Sequence, residues 1–401
     1  MLIDKFLDYV SFDTQSVEDS NTCPSTDKQK ILAKHLLNQI NELGLSDTKM
    51  DEHGYVYGFL EGDKSKPTIG LLAHMDTSDA ASGKDVKPKI INNYDGEDIV
   101  LNDSIITEVS RFPFLKEYIG KTLVVTDGNT LLGADDKAGI AIIMEVLETL
   151  IKNPSIKHGP IRIAFTPDEE IGKGTDYFDF DSFKVDFAYT VDGDKPNNIE
   201  YENFNGAHAE IVFNGISVHP GSAKDKMINA IKLAYEFNSH LDPNMVPEHT
   251  DGYEGFNHFV GISGEVFKAK SSYIIRNHDY SKLNQQKNSF VEIADMMNEK
   301  YGYKCVELKI EDSYRNMKEK FEGNMYPIDL AKNAMEQLGM EFTSIPIRGG
   351  TDGARLTWEG ILCPNLGTGG GNFHGIHEYW CYEDGQQAVD LILKILELSW
   401  K

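Results

Sequence analysis

The sequence predicts an α/β protein. Its main domain is built on a mostly parallel mixed sheet flanked by helices, and an α+β domain of ferredoxin-like order is inserted into it. Three observations carry this expectation. Apolar strand segments alternate with amphipathic helices in both halves of the chain, as expected for helices packed on a largely parallel sheet. At 401 residues the chain is too long for one ordinary core. Between about residues 206 and 315 the order changes to strand, helix, two strands, helix, strand.

Taken in order, residues 1–12 place Leu2, Ile3, Phe6, Leu7 and Val10 on one side of a helix. A second amphipathic helix spans 27–43 and stops at Gly44. Strands follow at 55–60 and 68–73; the second, TIGLLA, is continuously apolar, as a strand buried on both faces should be. Residues 77–121 read as polar and irregular, and a connection this long is more often functional than inert. A strand at 122–126 leads to a helix reaching about Lys152, with Ile140, Ile143, Met144, Leu147 and Ile151 at helical spacing. Strands are expected at 161–165 and 187–191. The inserted pieces fall at 207–213, 225–240, 256–267, 270–276, 281–300 and 304–310. Beyond Arg315 the expectation is a helix at 328–338, strands at 345–347 and near Ile361, and a last helix at 384–399. The division is therefore 1–205 with 316–401 for the main domain and 206–315 for the insert.

Composition narrows the function. With 40% hydrophobic and 26% charged residues, the chain has the profile of a soluble globular protein. A formal net charge of −25 disfavours nucleic acid and anionic membranes as partners, because phosphates select for Lys and Arg. Cys23, Cys305, Cys363 and Cys381 are scattered without a CxxC pair, which fits a reducing compartment and argues against thiolate metal sites. Asp4, Lys5 and Asp8 interrupt the first apolar stretch, so it does not read as a signal peptide, and no apolar run approaches the ~18 residues of a membrane span. The expected location is the cytoplasm.

The chemistry collects at strand ends. TIGLLA runs into His74 and Asp76, IRIAF into Asp168, Glu169 and Glu170, and FAYTV into Asp192. In open α/β sheets ligands bind outside the carboxyl ends of the strands, so these loops should converge on one crevice. Carboxylates and histidine without cysteine form an oxygen and nitrogen donor set that suits Zn²⁺, Mn²⁺ or Co²⁺. Three ligand carboxylates against two dications leave about +1, which a bridging hydroxide would neutralise. No GxSxG elbow is present, which disfavours a serine hydrolase. The glycines at 367–371 are not followed by GK[ST] and read as a flexible loop rather than a phosphate-binding one.

His74-x-Asp76, GADDKAG at 133–139, DEE at 168–170, VDG at 191–193 and HGIHE at 374–378, in this order, resemble the M20 family of dinuclear metallopeptidases. The likeness runs end to end, includes SVHPG at 217–221 and RGGTDGA at 348–354, and is nearest to the branch that cleaves tripeptides. It implies a zinc-exopeptidase-like catalytic domain with an inserted lid- or dimerisation-type domain, and two Zn²⁺ per subunit. By this resemblance His74 and Asp192 hold one metal, Glu170 and His374 the other, and Asp135 bridges both. Glu169 is the general base for the bridging water, Asp76 orients His74, and the Asp135–Asp136 peptide is cis. His219 and Arg276 are implied to contact substrate. Arg348, beside Gly349 and Gly350, is a further candidate for the peptide's terminal carboxylate. Of Asp135 and Asp136, one is expected to ligate and the other to cap the following helix. Asp168 has no expected role beyond shaping its turn. The expected activity is release of the N-terminal residue from short peptides; a dipeptidase, an N-acyl amino acid deacylase and, less favoured, a non-catalytic peptide binder are the alternatives. The choice between monomer and homodimer stays open.

Overall fold

The computed structural model describes all 401 residues, which fall into two compact units. The first comprises Met1–Tyr201, Lys320–Ile345 and Thr351–Lys401; the second comprises Glu202–Glu319 and Pro346–Gly350.

The first unit begins with α1 (Leu2–Val10), α2 (Gln29–Glu42), β1 (Ser46–Met50), β2 (Val56–Leu60) and β3 (Ile69–His74). The long segment that follows holds β4 (Lys89–Ile91), β5 (Ile99–Val100) and β6 (Ile106–Thr107) before β7 (Leu123–Val125). Then come α3 (Ala134–Lys152), β8 (Ile161–Thr166), β9 (Phe187–Gly193) and β10 (Ile199–Glu200). The second unit supplies β11 (Asn205–Asn214), α4 (Ala230–Ser239), β12 (Phe256–Gly264), β13 (Lys268–Asn277), α5 (Tyr280–Tyr301) and β14 (Val306–Tyr314). The chain continues through α6 (Lys318–Phe321), α7 (Tyr326–Gln337), α8 (Asp352–Trp358), β15 (Asn365–Gly367), β16 (Gly370–Gly371), β17 (Tyr379–Cys381) and α9 (Tyr382–Trp400).

The large sheet runs β1-β2-β8-β3-β9-β15-β10. Its four central strands, β8, β3, β9 and β15, are mutually parallel, and the outer pairings are antiparallel. The expected parallel sheet is thus the centre of a mixed one. β3 is buried at every residue, as its unbroken apolar run requires. α3 is apolar almost all round, with Ile140, Ile142, Ile143, Val146 and Leu147 fully buried, because α1, α9, β3 and β9 all pack on it. Gly139 permits its approach to β9. A Cβ there would lie 1.9 Å from the Val191 carbonyl oxygen and 2.4 Å from Asp136 Oδ1. We expect Gly139→Ala to cost roughly 1–3 kcal/mol in chemical denaturation, the usual range for overpacking a close backbone approach.

The second unit has the order β12-β13-β11-β14, all antiparallel, which is the ferredoxin-like arrangement. Asn229 and Asp279 cap α4 and α5 through their side chains, and Gly302 closes α5 at φ +71. Phe213, Phe237, Tyr273 and Phe290 pack edge-on or tilted at the centre of its core.

Several local expectations shift. Residues 345–347 form no strand of the large sheet; Ile347 instead donates to the Glu202 carbonyl and accepts from Phe204 N–H, which draws 346–350 into the second unit. The strand expected near Ile361 lies at Asn365–Gly367. The glycines at 367–371 are buried and partly in β15 and β16 rather than a flexible loop. Residues 77–121 build a small core of Tyr94, Ile99, Leu101, Leu115 and Tyr118 against Leu123, Val125 and Tyr379. No helix is long and apolar enough to cross a membrane.

Candidate metal centre

The parallel strands β3, β8 and β9 deliver their carboxyl ends to one edge of the large sheet, and every expected ligand gathers there within the first unit. His74 ends β3, Glu170 follows β8, Asp192 lies near the end of β9, and Asp135 opens α3. His374 comes from the turn between β16 and β17. His74 Nε2 lies 2.7 Å from Asp135 Oδ1 and 3.5 Å from Asp192 Oδ1. His374 Nε2 lies 3.1 Å from Asp135 Oδ2 and 3.0 Å from Glu170 Oε2. Two three-donor groups result, His74/Asp135/Asp192 and Asp135/Glu170/His374, each with donor atoms within 4.8 Å of one another. Asp135 belongs to both, one oxygen toward each histidine. The Asp135–Asp136 peptide is cis.

This donor set fits a pair of divalent cations. Glu170 Oε1 is buried without a hydrogen-bond partner, and each histidine Nε2 faces two carboxylates that a single N–H cannot serve. Burial pushes the Glu170 carboxyl up to about 7, with Asp135 adding to the rise, and pushes Asp192 up to about 6. Hydrogen bonds to Asp135 and Glu170 pull His374 up to about 11. Burial also holds Glu169 well above the usual carboxylate range; Asp192, Asp352 and Glu170 reinforce the shift, and His74 opposes it. Carboxylates this crowded share protons unless cations neutralise them.

Carboxylates outside the ligand set tie the ligand-bearing loops together. Glu378 accepts N–H from Leu132 (2.7 Å), Gly133 (2.9 Å) and Asp135 (3.2 Å). Asp136 accepts N–H from His74 and from Gly139, each at 3.1 Å, and so is the capping member of the Asp pair. Asp76 accepts the N–H groups of Glu169 (3.0 Å) and Glu170 (3.2 Å), while His74 Nδ1 lies 3.1 Å from the Asp76 carbonyl and 3.4 Å from its carboxylate. Loop 374–378 thus holds loop 132–136, which holds His74, whose Asp76 holds 169–170. The circuit closes where Glu170 meets His374.

Asp168 has a larger part than turn formation. It sits at φ +58, fully buried, and its carboxylate accepts from Ser25 N–H (2.6 Å), Ser25 Oγ (2.5 Å) and Gln29 Nε2 (2.7 Å). Gln29 Oε1 in turn accepts Asp168 N–H at 3.2 Å. The segment carrying Glu169 and Glu170 is thereby anchored to the start of α2. We expect Asp168→Ala to lower the unfolding free energy by at least about 2 kcal/mol in urea titration, because it strands buried donors. Asp352 is an acid the sequence did not single out. It is buried, accepts from Thr166 Oγ1 at 2.8 Å, and burial pushes it up to about 7.

His374 holds φ +63 and Asn372 φ +53, conformations that non-glycine residues adopt only where neighbours enforce them. Asn372 Nδ2 donates to the His377 carbonyl at 3.2 Å and Thr126 Oγ1 to the Ile376 carbonyl at 3.1 Å. From the 77–121 segment, Thr107 Oγ1 meets His377 Nδ1 at 2.8 Å, and the Phe112 ring packs tilted against His377 with ring centres 5.2 Å apart. That long connection is a brace for the His374 turn. The His374 side chain is 47% exposed, so the cluster opens to solvent on this side.

The other expected contacts lie in the second unit. His219 is exposed, and its Nδ1 accepts Gly221 N–H at 3.1 Å. Arg276 lies between the Phe256 and Tyr314 rings and donates through Nη1 to the Arg348 carbonyl at 3.0 Å. Arg348 directs its own guanidinium to the Gly252, Glu254 and Thr250 carbonyls and to Thr250 Oγ1.

A mixed α/β sheet whose parallel strand ends gather two carboxylate–histidine groups around one shared aspartate defines the class: an α/β protein with a candidate metal site. The sequence pattern of peptidase family M20/M25/M40 matches residues 126–398. The chain is 53% identical to peptidase T of Clostridium novyi, over 100% of its own length and 99% of that protein. Its fold matches the crystal structure of the aminopeptidase PepT of Bacillus cereus with a TM-score of 0.78 at 22% identity, covering 100% of this chain and 98% of that one. The YXEP protein of Bacillus subtilis, described as a dinuclear metal binding peptidase of family M20, matches with a TM-score of 0.66 at 16% identity, over 99% and 96% of the two chains. The chain belongs to peptidase family M20/M25/M40 and, within it, to the peptidase T group.

Proposed function

We propose that this chain is a zinc metallo-aminopeptidase that hydrolyses the N-terminal peptide bond of short peptides, tripeptides above all. The observation that carries the reading is the pair of three-donor groups sharing Asp135, with Glu169 a member of neither, next to Glu170 in the chain and lining one small cavity with His74 and Asp192. The peptidase T relatives, and the fold shared with a tripeptidase of Staphylococcus aureus, support short peptides as the substrate class. His74 and Asp192 would hold one Zn²⁺, Glu170 and His374 the second, and Asp135 both. Two dications there supply Lewis acidity for the scissile carbonyl and lower the pKa of the attacking water. Glu169 accepts that water's proton and returns it to the departing amine. Asp76 fixes the ring of His74 and the backbone of 169–170 together. His219 and Arg276 are read as peptide contacts, with Arg348 holding Arg276 in place through its carbonyl. The four free cysteines accord with a cytoplasmic enzyme.

Initial rates on a tripeptide, its N-acetylated form, the matching dipeptide and an N-acyl amino acid test the reading. The free tripeptide is expected to show the highest kcat/KM. Faster cleavage of the N-acylated compounds would turn the assignment toward a deacylase, and of the dipeptide toward a dipeptidase.

A further inference from the structure

We infer that Glu378 is a positioning residue for the metal centre: its carboxylate sets the place of Asp135 by gathering the N–H groups of Leu132, Gly133 and Asp135. The inference rests on the reading of His74, Asp135, Glu170, Asp192 and His374 as metal ligands. Glu378 is 1% exposed, so its bonds are not shared with bulk water. Oε2 takes Leu132 and Gly133 N–H, and Oε1 takes Asp135 N–H. These amides lie at the start of α3, where N–H groups otherwise lack partners. Gly133 holds φ +81, a conformation that glycine adopts without strain.

The position of Glu378 in the chain gives these bonds their significance. It lies four residues after His374 in the same turn, so one carboxylate ties the backbone of the shared aspartate to the loop of the exposed histidine. Asp135 also faces His74, so a shift of Asp135 is felt in both three-donor groups. Lys137 lies on the same turn of α3. It is 1% exposed, its ammonium donates to the Phe12 carbonyl at 2.7 Å, and its charge acts on Glu378 while the backbone amides supply that carboxylate's hydrogen bonds. Groups that orient metal ligands without touching the metal commonly govern affinity, and their loss weakens binding roughly 10- to 100-fold.

The test is Zn²⁺ affinity measured against a competing chromogenic chelator, with kcat and KM on a tripeptide at saturating zinc. Glu378→Gln is expected to weaken binding at both sites and to lower kcat with KM little changed. Glu378→Asp keeps the charge but withdraws the oxygens by one methylene, so weakened binding there reports position rather than field. Asp384→Asn is the control: Asp384 is a buried carboxylate that accepts from the Lys121 ammonium at 2.6 Å rather than from the N–H groups of a ligand-bearing segment. It is expected to lose stability but keep the parent's metal affinity. If Glu378→Gln yields no folded protein, Glu378→Asp decides by the same criterion. Parent-like zinc affinity and kcat in the folded Glu378 variants would overturn the inference, whatever their Tm. A parent chain that binds no zinc would overturn the ligand reading and this inference with it.

Discussion

Glu169→Ala, loaded with zinc, is expected to turn over a tripeptide roughly 10²- to 10⁴-fold more slowly than the parent, the usual contribution of a positioned general base, while still binding two metal equivalents. The expectation follows from placement. Glu169 belongs to neither three-donor group, so its removal leaves all five donors in place. Its backbone N–H remains bound to Asp76, and Asp168 continues to anchor the segment to Ser25 and Gln29. Only the carboxylate next to the cluster is lost. Metal content by atomic emission and kcat by amine release are read on the same sample. Full activity, or loss of both metals, would remove Glu169 from the base role.

Asp135→Ala is expected to have the second large effect, and of a different kind. One oxygen of Asp135 faces each histidine, so this single substitution breaks both three-donor groups. Both metals should be lost, and activity with them. His374→Ala removes a donor from one group only, so it should leave the His74/Asp135/Asp192 group able to hold a single equivalent. Zinc per chain after gel filtration distinguishes the two variants: near zero for Asp135→Ala and near one for His374→Ala. Equal stoichiometry in both would contradict a shared ligand.

Three of the five proposed ligands carried a local signal in the sequence, whereas Asp135 and His374 were placed by the family resemblance. His74, Glu170 and Asp192 each stand at or just past the end of an apolar run, and parallel strands bring such ends to one edge. The groups that support them were not legible in this way. Glu378 bonds amides more than 240 residues earlier, and Asp168 bonds Ser25, 143 residues away. A carboxylate that accepts backbone N–H asks for no partner residue type, so it leaves no paired motif to read. Glu378 stood inside HGIHE, and Asp168 inside DEE, without a role that spacing could reveal. The same limit applies to the fold. Residues 346–350 join the second unit through backbone bonds of Ile347, which no hydrophobic period announces. The core of 77–121 uses Tyr94, Ile99, Leu101, Leu115 and Tyr118, spaced too irregularly for a helix or strand pattern.

The central claim is a pair of metals sharing Asp135 and serving one reaction. Titrating chelator-stripped protein with Zn²⁺, while following bound metal and tripeptide cleavage together, tests it most directly. Activity should be negligible without metal, return on titration, and level off at two equivalents per chain. Saturation at one equivalent, or full cleavage in the stripped protein, would contradict it.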